Sequence, residues 1–285
     1  MDEDFQAWIG RTETTTDPLC CVQAQSAQAL FDDAGPALTD GDALPPLWHW
    51  FHFLPRAPQS LLDDDGHPQR GGFLPPIPYP RRMFAGARLQ LHRPLVIGRP
   101  AQREARISDV VLKSGKSGSL AFVTVALRFV QQGELCIEEE QDIVYREPGG
   151  RVAAPVAPVG PVTAPWPPLP EACWTRVLQP DSRMLFRFSA LTFNAHRIHY
   201  DRSYASEVEG YPGLVVHGPL TAMLLAQLVS KSTARPMRAF SFRGAAPLFD
   251  LGPVRLLGTL EGDIVALQAQ GPDGNAALLA SATMG

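Results

Sequence analysis

The chain has 285 residues, of which 45% are hydrophobic and 19% are charged. This composition provides enough apolar side chains for a sizeable core and excludes a wholly disordered chain. The formal net charge of -4 argues against a nucleic-acid-binding protein, which usually carries a basic surface.

Membrane and secretory segments are not expected. No run of about 18 apolar residues is present, so the sequence predicts no membrane-spanning helix. The first ten residues, MDEDFQAWIG, lack the basic and apolar regions of a secretory signal. The four cysteines form no Cys-x-x-Cys pair, so we expect a reduced, cytoplasmic protein without a cysteine-based metal site.

The beginning of the chain predicts two short helices. The first covers residues 2–9. Thr16 and Asp17 are candidate caps for the second, with Pro18 in its first turn, and small and apolar residues follow at helical spacing.

Residues 35–80 predict a long structured loop, because prolines and glycines interrupt every regular pattern there. The segment includes the motif DDDGHPQRGG and an aromatic run, WHWFHF, which is a candidate roof for a pocket. Loops of this length inside compact domains are often functional.

Four segments with β-branched, partly alternating residues predict strands after this loop. They are residues 83–91, 101–112, 120–131 and 135–145. The SGKSGS segment between the second and third strands is typical of a hairpin turn. It lacks the first glycine and the following helix of a phosphate-binding loop, but Lys113 and Lys116 remain candidate phosphate contacts.

A segment rich in proline, alanine and valine, residues 148–170, predicts an extended linker. It separates an N-terminal unit, residues 1–147, from a C-terminal unit, residues 171–285. The second unit predicts a strand or two over residues 175–189, helices over 200–209 and 218–231, and four further strands. Each unit is therefore expected to be α+β, with an antiparallel sheet packed against a helix.

Three histidines near the second unit's long helix are candidates for chemistry. FNAHRIHYD contains His196 and His199, and VVHGPL places His217 beside Gly218. Two histidines three residues apart can share a metal, but a zinc site usually needs a third protein ligand, and no suitable motif provides one. Gly218 opens the helix, where unpaired backbone N–H groups can stabilise a developing oxyanion.

The segment FNAHRIHYDRSYASEVEGYPGLVVHGPLTAMLL resembles the MaoC-like (R)-hydratases, or type 2 hydroxyacyl-thioester dehydratases. Their signature is D-x-N-P-x-H-x-D followed by a helix and an HG pair. PRRMFAG and DVVLKSGKSGSLAFVTV resemble the subfamily that includes itaconyl-CoA and mesaconyl-CoA hydratases. The resemblance implies a double hot-dog fold, with two tandem repeats whose antiparallel sheets wrap around central helices.

The resemblance also assigns residues. His199 matches the family's catalytic histidine and Gly218 its oxyanion donor. Asn194 stands where the family has a catalytic aspartate, and His196 replaces its asparagine. We expect His199 to transfer the proton, Asn194 to position the water and His196 to assist; His217 is open between substrate binding and a structural role. Asp201, at the trailing acidic position, is expected to cap a helix.

The implied substrate is an acyl-CoA, so coenzyme A enters with the substrate and no separate cofactor or metal is expected. Candidate cations for its phosphates or for a free carboxylate are Arg81, Arg82, Lys113, Lys116 and Arg243. The resemblance implies a short branched C5 dicarboxylic acyl group, such as itaconyl-CoA converted to citramalyl-CoA, with mesaconyl-CoA next.

Two other functions remain open from the sequence. One is dehydration of fatty 3-hydroxyacyl thioesters, which needs a deep apolar tunnel. The other is a non-catalytic acyl-CoA-binding protein, since the aspartate is missing. A monomer and a homodimer both remain open, because a fused double repeat provides the usual pair of hot-dog units internally.

Overall fold

The structure is a computed structural model that describes residues 5–115, 118–147, 166, 168–169 and 172–285. Most of the predicted linker, and Lys116 on the predicted turn, lie outside the described residues. Within the part that is described, no helix is long and apolar enough to cross a membrane.

Ten strands in the described ranges join in one sheet with the order β1-β3-β4-β5-β2-β7-β10-β9-β8-β6. They are β1 (Thr12–Asp17), β2 (Arg81–Leu91), β3 (Ala101–Gly115), β4 (Gly118–Gln131), β5 (Glu134–Arg146), β6 (Trp174–Leu178), β7 (Met237–Gly244), β8 (Val254–Glu261), β9 (Ile264–Gln270) and β10 (Ala276–Met284). All neighbouring pairs are antiparallel.

The order of the strands divides the sheet at the β2–β7 pair. Strands β1 to β5 lie on one side and β6 to β10 on the other, so each predicted unit contributes one half. Gly86 faces Arg243 across this junction, and a Cβ at Gly86 would collide with the carbonyl oxygen of Phe242. The close backbone contact therefore explains the glycine.

The long apolar helix of the second unit is α3 (Gly218–Ser232), and it is buried at every position from Leu220 to Val229. It packs against β2 and against all five strands of the second half. This is the central helix that the sequence predicts. Because it is apolar on all sides, it is stable only inside the curve of the sheet.

The first half is filled differently. Helix α1 (Cys21–Leu30) packs against a 3-10 helix, Trp48–Phe51, and against α2 (Ser182–Thr192). The aromatic run itself contacts the sheet, since His49 and Phe53 both lie against the ring of Phe129 in β4. The long loop therefore contributes part of the core of this half.

Two local predictions were wrong. Thr16 and Asp17 end strand β1 instead of capping a helix, and α1 begins at Cys21. The segment 175–189, predicted as a strand or two, is a strand only in its first part, β6. From Ser182 onward it is helix α2, which Asp181 caps by accepting a hydrogen bond from the Met184 N–H. The helix predicted over 200–209 is present over 202–208, with Tyr204–Val208 as a π-helix.

Candidate active site

His199 lies at the end of a short 3-10 helix, Arg197–His199, and is buried. Its Nδ1–H donates to the carbonyl oxygen of Val215 at 2.7 Å. This hydrogen bond fixes the tautomer, so Nε2 carries a lone pair that can accept a proton. Burial lowers the pKa of His199 to about 4, and the imidazole is therefore neutral at pH 7.

His217 and Gly218 form the beginning of α3. The His217 ring stacks on His199 with 3.6 Å between centroids, and its Nε2 is 2.9 Å from the Ser189 hydroxyl oxygen. This buried position supports the structural reading of His217. Among the described residues the Gly218 N–H has no hydrogen-bond partner, and it remains available for an oxyanion.

His196 and Asn194 lie on the other side of His199. The His196 ring meets the His199 ring edge-on at 5.4 Å, and burial lowers the pKa of His196 to about 2. The side-chain oxygen of Asn194 accepts a hydrogen bond from the His196 N–H at 3.0 Å. Asn194 still lines the cavity, where its amide N–H₂ group can contact water.

The cavity beside these residues has a volume of about 690 Å³. Its walls come from the long loop, from β2 to β5, from α2 and from the beginning of α3 at Pro219. The residues that line the cavity include Asn194 but not His199, His196, His217 or Gly218. Among the four predicted catalytic residues, the structure thus places only Asn194 directly on the cavity surface.

The predicted cations separate into different environments. Arg82 lines the cavity, and its guanidinium makes no ion pair or hydrogen bond with any described residue. Arg81 is paired with Glu209 at 3.1 Å. Lys113 is exposed and lies over the ring of Phe122, and Arg243 is exposed on β7. Of the predicted cations that the structure describes, Arg82 alone lines the cavity.

For a second group of histidines on the cavity wall, the sequence suggested a place in a pocket roof but missed the carboxylate partners. His49 Nε2 lies 2.8 Å from a buried Glu139 oxygen, and His52 Nδ1 lies 3.1 Å from an Asp17 oxygen. The opposite ring nitrogens, His49 Nδ1 and His52 Nε2, are buried without a partner among the described residues. The aromatic run that suggested a pocket roof contains both histidines, but their carboxylate partners are distant in sequence.

His67 and Asp65 were also missed, although the loop motif that contains them stood out. Nδ1 of His67 donates to Asp65 Oδ2 at 3.0 Å, and the ring centroid of His67 lies 4.1 Å from that of His196. Burial lowers the pKa of His67, although Asp65 opposes this effect. Burial alone would raise the pKa of Asp65, but the hydrogen bonds from His67 lower it well below its usual range.

Asp65, His67 and His196 are also close enough to hold a cation together, since one potential ligand atom of each lies within 4.8 Å of the others. However, the Asp65 oxygen already accepts the His67 proton, and the guanidinium of Arg82 lowers the pKa of both histidines. A nearby positive charge disfavours a bound cation. We therefore interpret this group as a hydrogen-bonded acid–base cluster.

The chain is similar to known enzymes over most of its length. The family model for hydroxyacyl-thioester dehydratase type 2 matches residues 47–250. Mesaconyl-C(4)-CoA hydratase of Chloroflexus aurantiacus is 61% identical over 99% of this chain and 98% of that protein. The mitochondrial hydroxyacyl-thioester dehydratase type 2 of Schizosaccharomyces pombe is 31% identical over 75% of this chain and 77% of that protein.

Solved structures show the same fold at low identity. A MaoC-like dehydratase superposes with a TM-score of 0.72 and 16% identity, over 98% of this chain and 99% of that one. A Mycobacterium tuberculosis protein described as having a double hot-dog fold superposes with a TM-score of 0.58 and 15% identity, over 97% and 96%.

The fold is thus a double hot dog, and the protein is an enoyl-CoA hydratase/dehydratase, a carbon–oxygen lyase. More specifically, the chain belongs to the hydroxyacyl-thioester dehydratase type 2 family, within the MaoC-like group that the sequence motifs indicate.

Proposed function

We propose that this protein adds water to a C5 dicarboxylic enoyl-CoA, with mesaconyl-C4-CoA as the preferred substrate and citramalyl-CoA as the product. The observation that carries the proposal is Arg82, a guanidinium on the cavity wall without an ion pair among the described residues. Arginine binds carboxylates through two parallel hydrogen bonds. A cation without a partner in a largely apolar cavity suits a substrate that carries a free carboxylate.

Hydration of a conjugated enoyl thioester needs a base for the attacking water, a proton donor for the α-carbon and stabilisation of the enolate oxygen. A neutral imidazole of the histidine cluster around His199 acts as a base, and its protonated form then acts as the donor. The N–H of Gly218 stabilises the oxygen. Asn194 positions the water through its amide group.

We rank mesaconyl-C4-CoA above itaconyl-CoA, which reverses the order expected from the sequence. Both acyl groups carry a carboxylate on the β-carbon, and both yield citramalyl-CoA. Only in mesaconyl-C4-CoA is the double bond conjugated with the thioester, so that negative charge reaches the thioester oxygen during attack. An oxyanion site at Gly218 favours that isomer, and the 61% identical relative is named for it.

A second candidate is dehydration of fatty 3-hydroxyacyl thioesters. The size of the cavity, about 690 Å³, and its aromatic lining favour it, as does the name of the Schizosaccharomyces pombe relative. Against it stand the polar groups on the cavity wall, Arg82, His49 and His52, which an alkyl chain would leave without hydrogen bonds.

The test is a side-by-side assay of hydration with mesaconyl-C4-CoA, itaconyl-CoA, crotonyl-CoA and a long-chain 2-enoyl-CoA. We expect the highest kcat/KM for mesaconyl-C4-CoA. A higher value for the long-chain substrate would support the fatty-acyl alternative. Binding of all four without turnover would instead support a non-catalytic acyl-CoA-binding protein.

A further inference from the structure

The loop motif DDDGHP is fixed onto the segment that carries His196 and His199. The Arg197 N–H donates to the carbonyl oxygen of Asp65 at 2.8 Å, and the Arg197 side chain donates to that of Asp64 at 3.1 Å. Gly66 has a φ of +92°, and a Cβ there would collide with the carbonyl oxygen of Ala195. The first half of the chain is thus held in direct contact with the histidine segment.

Within this loop, Asp65 orients His67 through two hydrogen bonds. Its Oδ1 accepts from the His67 backbone N–H at 2.8 Å, and its Oδ2 accepts from His67 Nδ1 at 3.0 Å. Since Nδ1 carries the proton, Nε2 has a free lone pair. Nε2 makes no hydrogen bond in the described part of the chain, and His67 lines the cavity.

His67 and Asn194 share that cavity. Asn194 cannot accept a proton from water, and its oxygen already accepts a hydrogen bond from the His196 N–H. The family's carboxylate is therefore absent from its expected position, while a carboxylate-bound imidazole from the other half of the chain faces the same space. An imidazole whose Nδ1–H is held by a carboxylate is a suitable general base, because the carboxylate stabilises the imidazolium that forms.

We propose that His67 is a catalytic residue and that Asp65 is its positioning residue; the inference rests on the enoyl-CoA hydration proposed above. As the water oxygen bonds to the β-carbon, one water proton passes to Nε2 of His67. The π electrons of the double bond move to the α-carbon and the thioester oxygen. The α-carbon then takes a proton from the imidazolium, so one water is added and His67 ends neutral.

His67 and His199, whose Nε2 atoms both have free lone pairs, therefore have different roles. His67 lines the cavity, whereas His199 is buried, is not among the lining residues and is hydrogen-bonded to Val215. His196 lies between them, 4.1 Å from the His67 ring and 5.4 Å from the His199 ring. His67 therefore contacts the reacting water, and His199 and His196 provide a neutral, polar support behind it.

The test compares His67→Asn and Asp65→Asn with wild type on the enoyl-CoA that the wild type hydrates fastest. Asparagine at position 67 keeps a donor for Asp65, so the loop stays in place, but it cannot accept a proton. His92→Gln is the matched control, because His92 forms a pair with Glu138 at 2.8 Å on the exposed surface. Thermal melting checks that each variant is folded.

We expect His67→Asn to lower kcat by roughly 10² to 10⁴, the usual contribution of a general base, with KM little changed. Asp65→Asn lowers kcat by a smaller factor, and His92→Gln leaves it unchanged. If His67→Asn does not fold, His67→Ala with added imidazole replaces it, and recovery of turnover by imidazole supports the proposal. Because each variant is compared with wild type, the result is independent of which acyl group proves to be preferred.

Two results would overturn the proposal. One is a folded His67→Asn variant, or a His67→Ala variant without imidazole, that retains wild-type kcat. The other is loss of wild-type activity on treatment with EDTA and its recovery with zinc, which would make Asp65, His67 and His196 a metal site.

Discussion

The rings of His67 and His196 lie 4.1 Å apart, centroid to centroid, although one belongs to the long loop of the first half and the other to the histidine segment of the second. The two halves therefore build one site together. The second half contributes His199, Asn194 and Gly218. The first half contributes His67 and Arg82 and most of the cavity wall.

Substitution of Asn194 tests its role in positioning water. We expect Asn194→Ala to lower kcat about fivefold, because one hydrogen bond to the reacting water is worth on the order of 1 kcal/mol. Steady-state kinetics with mesaconyl-C4-CoA measures this. Unchanged turnover would refute the positioning role.

Asn194→Asp restores the acid of the family signature and tests whether the asparagine affects substrate specificity. If the asparagine determines which substrate is preferred, the aspartate variant gains activity on linear substrates such as crotonyl-CoA. The ratio of kcat/KM for crotonyl-CoA to that for mesaconyl-C4-CoA is the measurement. A ratio equal to that of wild type would mean that residue 194 does not set specificity.

Arg82→Met should weaken the recognition of a carboxylate. A charge-assisted hydrogen bond contributes roughly 1.5–3 kcal/mol, so we expect kcat/KM for mesaconyl-C4-CoA to fall about 10- to 100-fold. The value for crotonyl-CoA, which has no carboxylate, should stay the same. Arg128→Met is the control, because Arg128 pairs with Glu104 on the exposed surface. Equal losses on both substrates would show that Arg82 binds coenzyme A or supports the fold.

Gly66→Ala should destabilise the protein by more than backbone strain alone explains. A residue with a Cβ at positive φ costs on the order of 1 kcal/mol, and the clash with Ala195 adds to this. Gly41→Ala separates the two effects, since Gly41 has a φ of +97° and open space around its Cβ position. Denaturant unfolding compares them, and equal losses would contradict the close contact at Gly66.

The buried histidines should make stability fall in mild acid. Burial lowers the pKa of His199 to about 4, whereas an unfolded histidine titrates near 6.5. Between these values the unfolded chain binds a proton that the folded protein does not, so stability decreases as pH falls from about 6.5 to 4. One such histidine contributes a slope of about 1.4 kcal/mol per pH unit.

Unfolding free energies measured from pH 7 to pH 4 check this prediction. His199→Gln is the comparison, because it removes one of the shifted groups and should give a shallower slope. An equal slope in both proteins would contradict the buried, neutral state of His199.

The sequence was informative where local pattern and chemistry agree. Alternating β-branched residues predicted β2 to β5, and the apolar run after Gly218 predicted α3. The histidine motif identified the family. In contrast, β1 is a run of threonines that becomes a strand only by pairing with β3, and α2 depends on its Asp181 cap.

The composition of the site could be predicted only in part. His199, Asn194 and Gly218 are close in sequence and carry a recognisable spacing. The pairing of Asp65 and His67 with His196, and of His49 with Glu139, depends on contacts between distant segments. Such contacts follow from the tertiary fold, and a single sequence contains no local signal for them.

The most direct test of the account is the rate at which the double variant His67→Asn/His199→Gln hydrates mesaconyl-C4-CoA, relative to wild type. Asparagine can still donate to Asp65 and glutamine to the Val215 carbonyl oxygen, but neither side chain can exchange a proton. We predict that kcat falls at least about 100-fold while the variant remains folded. A folded variant with wild-type kcat would contradict the assignment of this histidine cluster as the active site.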